Sequence, residues 1–397
     1  MILTGARSGQ STKPALNVFL SAGEASGEHY GALLIDALRH ETPGAQFFGL
    51  GGKQMEESGL QRIVRAEDVA HMGITEVLRH APTVYSAYRR LVKSIREQRP
   101  DIAVLIDFPD VNLRLAEHLK NAGVPVVYFV SPQLWAWKKR RIRWVRERVS
   151  KMLVIFPFEE GFYRERGVDA EFVGHPLAEI PLPDASYLEF AAKNSLDPTK
   201  LWLALLPGSR QREVRLNLPE MLNAAAMLGP QYEYLIPVAP TLQPADFEAV
   251  LRGHAALRKS IHLTRDAAAS LFHARASVVA SGTATVLAAL MGNPFVAVYR
   301  VSPVTYAIAS RLIELPHVTM VNLIAGDRIV PELIQDTFTA KNIVRELTPL
   351  LADGDQRKRQ MSALAAVRQR LEAPNSTSTV RKGTIQRVAA HVLKLAQ

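Results

Sequence analysis

The sequence predicts an α/β fold built from two doubly wound parallel-sheet domains. Short, nearly continuous apolar runs, such as 102–106 and 203–206, recur along the chain, and such runs are typical of strands buried on both faces of a parallel sheet. Turn-forming segments and helical patterns follow these runs, and this alternation builds right-handed crossover units. A proline-containing connection at 181–198 separates two such series, and 397 residues are enough for both to bury a core.

Composition limits the classes of function. The chain has no cysteine, which excludes disulfides, thiolate metal sites and cysteine nucleophiles and fits a reducing compartment, so we expect a cytoplasmic protein. A net charge of +10 predicts attraction to an anionic partner: nucleic acid, a phosphorylated substrate or acidic lipid headgroups. The uncharged run 276–299 is interrupted by Gly282, Gly292, Asn293 and Pro294, so we expect no membrane span.

The domain organisation follows from these patterns. Three helices are predicted at 341–351, 356–371 and 379–395 without strands between them, so they must pack on the first domain or on another subunit. The expected parts are a loose tail at 1–14, an N-terminal domain at 15–180, a C-terminal domain at 181–350 and C-terminal helices at 351–397.

The first predicted strand, 17–21, runs into a loop and then into a helix. A first strand that feeds a glycine-containing loop is how doubly wound folds open their ligand crevice, although the dinucleotide pattern G-x-G-x-x-G is missing here. The polar and glycine residues expected to face a ligand from this loop are Gly23, Glu24, Ser26, Gly27 and Glu28.

Asp107 is the candidate general base. It follows the strand predicted at 102–106, and ligands of open parallel sheets bind beyond the carboxyl ends of the strands. The alternative is that Asp107 or Asp110 only caps the helix that follows, a role that we assign to Asp110.

A basic and aromatic segment follows the strand predicted at 124–130. It fits a lipid or phosphate surface, while nucleic-acid binding and a solvated helix face are the alternatives. The contact residues predicted here are Trp135, Trp137, Lys138, Lys139, Arg140 and Arg141. A second candidate, for contact with acyl chains, is the segment with Met72, Ile74, Val77 and Leu78, for which simple core packing is the alternative.

An anion site is predicted where the strand at 203–206 ends. Gly208 lets a ligand approach the main chain, Ser209 stands at the start of a predicted helix, and the guanidinium of Arg210 can hold phosphate oxygens. The alternative is an ordinary strand-to-helix turn with solvated arginines.

Further nucleotide contacts are predicted in the same half. Ser281, Gly282 and Thr283 end one strand and begin a helix, so their donors can complete a diphosphate cradle, although an N-cap explains one hydroxyl. Amide and carboxylate groups suited to a base edge or a ribose come from Asn322, Glu332 and Gln335. The alternatives are a turn role for Asn322 and a first-turn role for Glu332 in a helix beginning at Pro331.

Nine motifs in order, from about residue 16 to the C-terminus, resemble those of the lipid A disaccharide synthases, which are inverting glycosyltransferases of the GT-B architecture with two Rossmann-like domains facing across a cleft. Each motif alone is weak, but their common order is specific. They are 21–27, 72–73 with 76–78, 107 with 109–112, 131–132 with 135–137, 158–159, 173–177, 206–210, 281–284, and 322–326 with 332–333.

The resemblance implies a reaction. Family members move 2,3-diacylglucosamine from UDP onto the 6-hydroxyl of 2,3-diacylglucosamine 1-phosphate, giving a β-1,6 disaccharide phosphate and UDP in lipid A biosynthesis. It also implies peripheral binding to an anionic membrane surface, on the cytoplasmic face of the inner membrane, and a homodimer with a possible exchange of C-terminal helices. Two positions depart from the family pattern. Glu28 replaces an aspartate, and Leu287 stands where a ribose-binding glutamate is expected, a role that Glu332 is a candidate to fill.

The predicted mechanism is a single inverting displacement, with Asp107 as the base and Arg210 neutralising the departing UDP. No metal or other cofactor is expected, because the chain lacks an evident Asp-x-Asp motif. The alternatives are another GT-B enzyme of UDP-sugars, such as a UDP-N-acetylglucosamine 2-epimerase, and a non-catalytic nucleic-acid-binding protein, for which no recognised motif is present.

Overall fold

The computed structural model describes residues 15–70, 81–136, 139–302, 306, 316–372 and 383–397. The chain divides into two compact units, the first comprising Met1–Pro176 with Ala373–Gln397 and the second Leu177–Glu372. Each unit is built on a parallel sheet of its own.

The described part of the first unit contains seven strands: β1 (Asn17–Ala22), β2 (Gln46–Gly51), β3 (Leu60–Arg65), β4 (Ile102–Ile106), β5 (Val126–Phe129), β6 (Lys151–Val154) and β7 (Ala170–Phe172). Its helices up to residue 164 are α1 (Ala25–Glu41), α2 (Lys53–Glu57), α3 (Glu67–Ala70), α4 (Ala81–Gln98), α5 (Pro109–Asn121), α6 (Ile142–Arg148) and α7 (Pro157–Arg164). The strand order is β3-β2-β1-β4-β5-β6-β7, and every pairing is parallel.

The order of the first sheet reverses between β1 and β4. Successive connections run outward from this point in opposite directions, so the loops after β1 and β4 open a crevice, which is where doubly wound sheets bind ligands. All five residues of β4 are buried, as expected for a central strand covered on both faces. The sheet therefore places Asp107, the residue after β4, at its topological switch point.

The second unit repeats this plan, and its described residues form six strands: β8 (Leu201–Leu206), β9 (Tyr232–Pro237), β10 (Ile261–Thr264), β11 (Ala276–Ala280), β12 (Phe295–Tyr299) and β13 (Glu332–Ile334). Its helices are α8 (Tyr187–Asn194), α9 (Gln211–Leu228), α10 (Ala245–Arg252), α11 (Ala267–His273), α12 (Thr283–Leu290), α13 (Met320–Ala325), α14 (Ala340–Leu351) and α15 (Asp355–Leu371). The order β10-β9-β8-β11-β12-β13 reverses between β8 and β11.

The C-terminal helices belong to different units. Helix α15 belongs to the second unit, whereas the last helix, α16 (Thr384–Leu395), belongs to the first unit and packs on α1. Its buried face consists of Ile385, Val388, Ala389 and Val392, with Thr384 at its start. His391 Nε2 lies 2.9 Å from Glu171 Oε1, so a polar contact adds to this apolar packing.

The predicted fold class is confirmed: two parallel-sheet α/β units with additional helices. Two local expectations are wrong. The alternative for Glu332, a helix beginning at Pro331, is not observed, because Glu332 begins strand β13. Helix α9 begins at Gln211, next to the predicted start at Ser209, but it passes through Pro219, where the pattern favoured a separate helix start. The edge strands β3, β7 and β13 were not predicted, because β3 contains exposed and half-buried polar positions and β7 and β13 have only three residues each.

Candidate active site

The carboxyl ends of β1, β4 and β5 are in register in the first unit. Ala22 pairs with Ile106, and Ile106 pairs with Phe129. Three segments therefore leave the sheet at one edge: the loop that begins at Gly23, residue Asp107 and the loop after Phe129.

Asp107 has an unusual backbone conformation. Its φ is +47°, and that of the next residue, Phe108, is +48°, so two consecutive residues with side chains lie in the left-handed region. This conformation costs about 1–3 kcal/mol per residue and is concentrated at functional sites. Phe108 is also the N-cap of α5. The prediction that Asp110 caps this helix is therefore wrong, and Asp110 instead pairs with Arg141 at 2.6 Å.

Burial raises the pKa of the Asp107 carboxyl group. Partial removal from water, together with the negative charge of Glu24, raises its pKa to about 7, although a hydrogen bond from the backbone N–H of Phe108 opposes the shift. A carboxyl with this pKa exchanges its proton near neutral pH, which is the range in which a general base is most effective.

Asn112 and Tyr128 hold the backbone at Asp107. The amide nitrogen of Asn112 donates to the carbonyl oxygens of Asp107 at 2.7 Å, Ile106 at 3.2 Å and Ser21 at 3.3 Å, and the Tyr128 hydroxyl donates to the Asp107 carbonyl at 2.6 Å. Asn112 Oδ1 accepts from the Ser21 hydroxyl at 2.6 Å. Asn112 thereby joins the ends of β1 and β4, a role that its place in a motif with Asp107 signalled but sequence reasoning did not assign.

The first loop lies beside Asp107. A Cβ added at Gly23 would stand 2.5 Å from the Phe108 ring, so only glycine fits there. Glu24 is the N-cap of α1, Ser26 is exposed and Gly27 is buried. Glu28 Oε1 accepts from the Gln54 backbone N–H at 2.8 Å, so this carboxylate satisfies the start of α2.

Trp135 lies inside the first unit and not on its surface. It is 9% exposed, and its indole N–H donates to Glu159 at 3.0 Å. Nearby, burial lowers the pKa of His175 to about 3, and its ring is 5.3 Å from that of Phe156. The core position of Trp135 does not suit a membrane contact, because a membrane anchor has to be exposed.

The basic segment beyond Trp135 lies at the surface. Arg140, Arg141, Arg143 and Trp144 line an open groove of about 690 Å³. The guanidinium carbons of Arg141 and Arg148 lie 5.7 Å and 5.0 Å from the Trp144 ring centroid, which holds cationic and aromatic groups together.

Several predicted contacts fall outside the described residues. These are Met72, Ile74, Val77, Leu78, Trp137 and Lys138. Lys139 begins a short 3-10 turn that extends to Arg141.

In the second unit, the carboxylate of Glu213 in the first turn of α9 binds the backbone of the loop after β8. Glu213 Oε2 accepts from the backbone N–H of Ser209 at 2.8 Å and of Arg210 at 3.3 Å, the donors predicted to hold a diphosphate. Gly208 has φ +125°, and a Cβ there would lie 2.3 Å from Glu213 Oε2. The Arg210 side chain is 71% exposed, and its Nη1 lies 3.6 Å from Glu213 Oε1. A carboxylate thus occupies the donors at the start of α9.

The segment 281–283 lies at the same sheet edge as this loop, because Val279 pairs with Leu206. Gly282 is the N-cap of α12 with φ +147°, and a Cβ there would meet open space. Gly282 and Thr283 are exposed, while the Ser281 hydroxyl donates to the Val318 carbonyl at 3.5 Å. The exposed start of α12 presents donors suited to an anion.

Asn322, Glu332 and Gln335 are held by hydrogen bonds within the second unit. The Asn322 amide donates to Val330 O and Glu332 Oε1 and accepts from the N–H groups of Ile329 and Val330, so its hydrogen-bonding capacity is filled. Glu332 Oε1 also accepts from Val318 and Thr319. Gln335 pairs with both backbone groups of Val301. Their contacts to a nucleotide stay predictions, as does the replacement of the glutamate missing at Leu287.

The described residues contain neither a metal-binding cluster nor a membrane-spanning helix. In these parts of the chain, no group of three or more histidine and acidic side chains is placed to hold a metal ion. None of the helices within them is both long enough and apolar enough to span a bilayer.

Comparison with known proteins identifies the family. Residues 18–383 match the family model described as lipid-A-disaccharide synthetase. The chain is 59% identical over 391 residues to the lipid-A-disaccharide synthase of Acidobacterium capsulatum, covering 96% of this chain and 97% of that protein. The chain belongs to the lipid-A-disaccharide synthetase family. It is 48% identical over 383 residues to the synthase of Koribacter versatilis, covering 96% and 99% of the two chains.

Solved structures show the same fold. The calicheamicin glycosyltransferase CalG4 superposes with a TM-score of 0.57 at 16% identity, covering 96% of this chain and 98% of that chain. The UDP-GlcNAc 2-epimerase of Neisseria meningitidis, solved with UDP-GlcNAc, superposes with a TM-score of 0.57 at 10% identity, covering 96% and 99%. The fold is thus that of the GT-B enzymes, and the family assignment makes this chain a glycosyltransferase. The expected fold and family are confirmed.

Proposed function

We propose that this chain transfers 2,3-diacylglucosamine from UDP to the 6-hydroxyl of 2,3-diacylglucosamine 1-phosphate with inversion, producing the β-1,6 disaccharide 1-phosphate and UDP. Family membership supports the reaction class. The observation that carries the mechanism is Asp107, a carboxyl at the switch point of the first sheet, in strained backbone and with a pKa of about 7.

Asp107 takes the proton of the acceptor hydroxyl as its oxygen attacks the anomeric carbon. The bond from that carbon to the UDP oxygen breaks, and the negative charge moves onto the diphosphate. Arg210 and the N–H groups at the starts of α9 and α12 neutralise this charge. A positioned base contributes about 10²–10⁴-fold to the rate, and loss of one charge-stabilising donor costs about 10²–10³-fold.

The proposal uses no metal, since arginine and backbone donors carry out the neutralisation. A chelator is therefore expected to leave the rate unchanged, and loss of activity that added divalent ions restore would contradict this part of the proposal.

The reaction is tested by incubating the purified protein with the two diacylglucosamine substrates, followed by mass analysis. We expect equal amounts of UDP and disaccharide phosphate. A parallel incubation with UDP-N-acetylglucosamine and no lipid acceptor is expected to leave that sugar unchanged. Epimerised sugar in the second incubation and no disaccharide in the first would support an epimerase and contradict the proposal.

The anionic surface of a membrane, on the cytoplasmic face of the inner membrane, is the proposed place of action. Both substrates carry acyl chains, the net charge is +10, and Arg140 and Arg143 are exposed beside Trp144. Vesicle flotation tests this step. The double variant Arg140→Glu/Arg143→Glu should lose binding to vesicles containing phosphatidylglycerol, whereas Arg345→Glu/Arg359→Glu, an equal charge change on exposed residues of the second unit, should keep it. Equal binding by both variants would place the surface elsewhere.

A homodimer is the proposed assembly, with α16 either on its own chain or exchanged with the partner. The contacts of α16 with α1 lie within one chain, and the same surfaces would meet between two copies if the helices were exchanged. Light scattering on the purified protein is expected to give twice the mass of 43.9 kDa, and a monomer at micromolar concentration would contradict the proposal.

A further inference from the structure

Glu159 is a buried carboxylate that the proposed reaction does not use. It lies in the first turn of α7 and is 1% exposed. Its Oε1 accepts from the Ser131 hydroxyl at 2.6 Å and the Trp135 indole at 3.0 Å, while Oε2 accepts from the Phe156 backbone N–H at 3.2 Å. These donors are neutral, and keeping a carboxylate buried among neutral donors is costly, so a role for it is expected.

Two of the three donors belong to one loop, residues 131–136, which follows β5. Further contacts fix this loop to α7. The Tyr163 hydroxyl donates to the Pro132 carbonyl at 2.8 Å, and the Trp135 ring meets the Phe158 ring edge-on at 5.1 Å. The loop has no strand or helix of its own, so these side-chain contacts determine its conformation.

The loop begins beside the proposed base. The Asp107 backbone N–H donates to the Phe129 carbonyl at 3.0 Å, and Tyr128 donates to the Asp107 carbonyl. Between Phe129 and the loop stands Val130, with φ +61°, a conformation that is strained for a β-branched residue. A shift of the loop would therefore be transmitted directly to the strand end that holds Asp107.

We infer that Glu159 is a positioning residue of the transferase: by holding Ser131 and Trp135, it fixes the 131–136 loop at the sheet edge where the acceptor sugar meets Asp107. This inference rests on the proposed function. It assigns Glu159 to the acceptor half of the reaction, so donor binding, which belongs to the second unit, does not depend on it.

The test compares Glu159→Gln with Glu160→Gln, the same charge change one residue along α7, where Glu160 pairs with Arg164 near the surface at 2.7 Å. We expect Glu159→Gln to lower kcat/KM for the acceptor by about ten- to a hundredfold, since misplacement by about 1 Å costs up to 10²-fold. The UDP dissociation constant should stay unchanged, and Glu160→Gln should behave as the wild type does. If Glu159→Gln matches Glu160→Gln in kcat/KM, the inference is wrong.

A second variant covers the case in which Glu159→Gln does not fold. Ser131→Ala removes one donor and leaves the carboxylate in place, and we expect an intermediate loss in kcat/KM for the acceptor. Hydrogen exchange of the backbone in 131–136 is read out in both variants and needs no substrate. Faster exchange there, with α4 unchanged, supports the anchoring role even if the wild type makes no disaccharide, in which case only the proposed function fails. Unchanged exchange in folded Ser131→Ala overturns the inference.

Discussion

The rate of the proposed transfer should depend on the ionisation of Asp107, which occurs near neutral pH. Because its pKa is raised to about 7 and the base must be ionised, kcat/KM should fall by about tenfold for each pH unit below that value. The profile of kcat/KM between pH 5 and 9 measures this. In the control variant Asp101→Asn, which changes an exposed acid at the other end of β4, the profile should be unchanged. A wild-type rate that is flat from pH 5 to 8 would refute the assignment.

The same raised pKa has a cost in stability. The folded protein holds the Asp107 proton up to about pH 7, whereas an unfolded chain releases it near pH 3.8. The contribution of this group to stability is therefore fully present below the unfolded pKa and is lost as the pH rises through the folded value. Such a cost is typical of a functional group and not of one selected for stability.

Asn112 provides a second prediction at this scale. Asn112→Asp keeps the shape of the side chain but replaces its donors with a carboxylate oxygen facing three carbonyls. We expect a loss of at least about 2 kcal/mol in the free energy of unfolding, since buried polar groups without partners cost about 1–3 kcal/mol each. Urea unfolding measures the loss. Asn121→Asp, at the exposed end of the same helix, is the control, and equal stability of the two variants would contradict the role of Asn112.

Residue patterns predicted the position of Asp107 but not its environment. A buried run that ends in a carboxyl residue is visible in the sequence, and the strand-end rule then gives the edge of the sheet. The hydrogen bonds of Asn322 and Glu332 were not visible, since they depend on a turn at 326–330 and on the backbone at 318–319. The sequence alone does not show whether an amide or carboxylate side chain binds a ligand or the backbone of its own chain, because the same donor and acceptor groups serve both.

At the scale of elements, α9 provides a carboxylate, that of Glu213, which accepts hydrogen bonds from the backbone N–H groups that the proposal assigns to the diphosphate. If UDP binds at the proposed site, it must displace Glu213 from the N–H groups of Ser209 and Arg210 or bind next to its charge. Glu213→Gln is therefore expected to bind UDP about tenfold more tightly, or ~1.4 kcal/mol, and to lose only about 0.3–1 kcal/mol of stability.

Calorimetric titration with UDP measures this effect, with Glu248→Gln, an exposed acid on α10, as the control. Weaker binding by Glu213→Gln would mean that the carboxylate shapes the loop for the nucleotide instead of competing with it.

Helix α16 is expected to stabilise the first unit. Val392 is fully buried in it, while Ala390 is exposed two residues away. Val392→Asp should lower the free energy of unfolding by several kcal/mol, about 3 or more, because it buries a charge without a partner. Thermal unfolding measures the change against Ala390→Asp, and similar melting temperatures would show that α16 contributes little.

Element prediction succeeded for the central strands and for the edge strand β10, but it failed at the three other sheet edges. β4 and β8 are continuous apolar runs, but β3 has the burial pattern of an edge strand, with exposed and half-buried positions, and β7 and β13 have three residues each. A helix start was predicted at Ser209, next to the observed start at Gln211, but the pattern did not show that this helix continues through Pro219. Proline at position 219 suggested a helix start, yet α9 passes through it, a cost that tertiary packing offsets.

At the scale of the whole molecule, the two units share one architecture. Each has a parallel sheet whose order reverses at its centre, and each places its candidate residues after the two strands on either side of that point. The loops are held in the same way: Asn112 binds the Asp107 carbonyl in the first unit, and Asn217 binds the Pro207 carbonyl at 2.8 Å in the second. In the proposed reaction, the proton acceptor belongs to the first unit and the diphosphate donors belong to the second.

This division is tested most directly by measuring, for Asp107→Asn and Arg210→Ala, both the rate of disaccharide formation and the UDP dissociation constant. Asp107→Asn should lose about 10²–10⁴-fold in rate with an unchanged dissociation constant, and Arg210→Ala should bind UDP measurably more weakly. Wild-type turnover by Asp107→Asn, or unchanged UDP affinity of Arg210→Ala, would contradict the account.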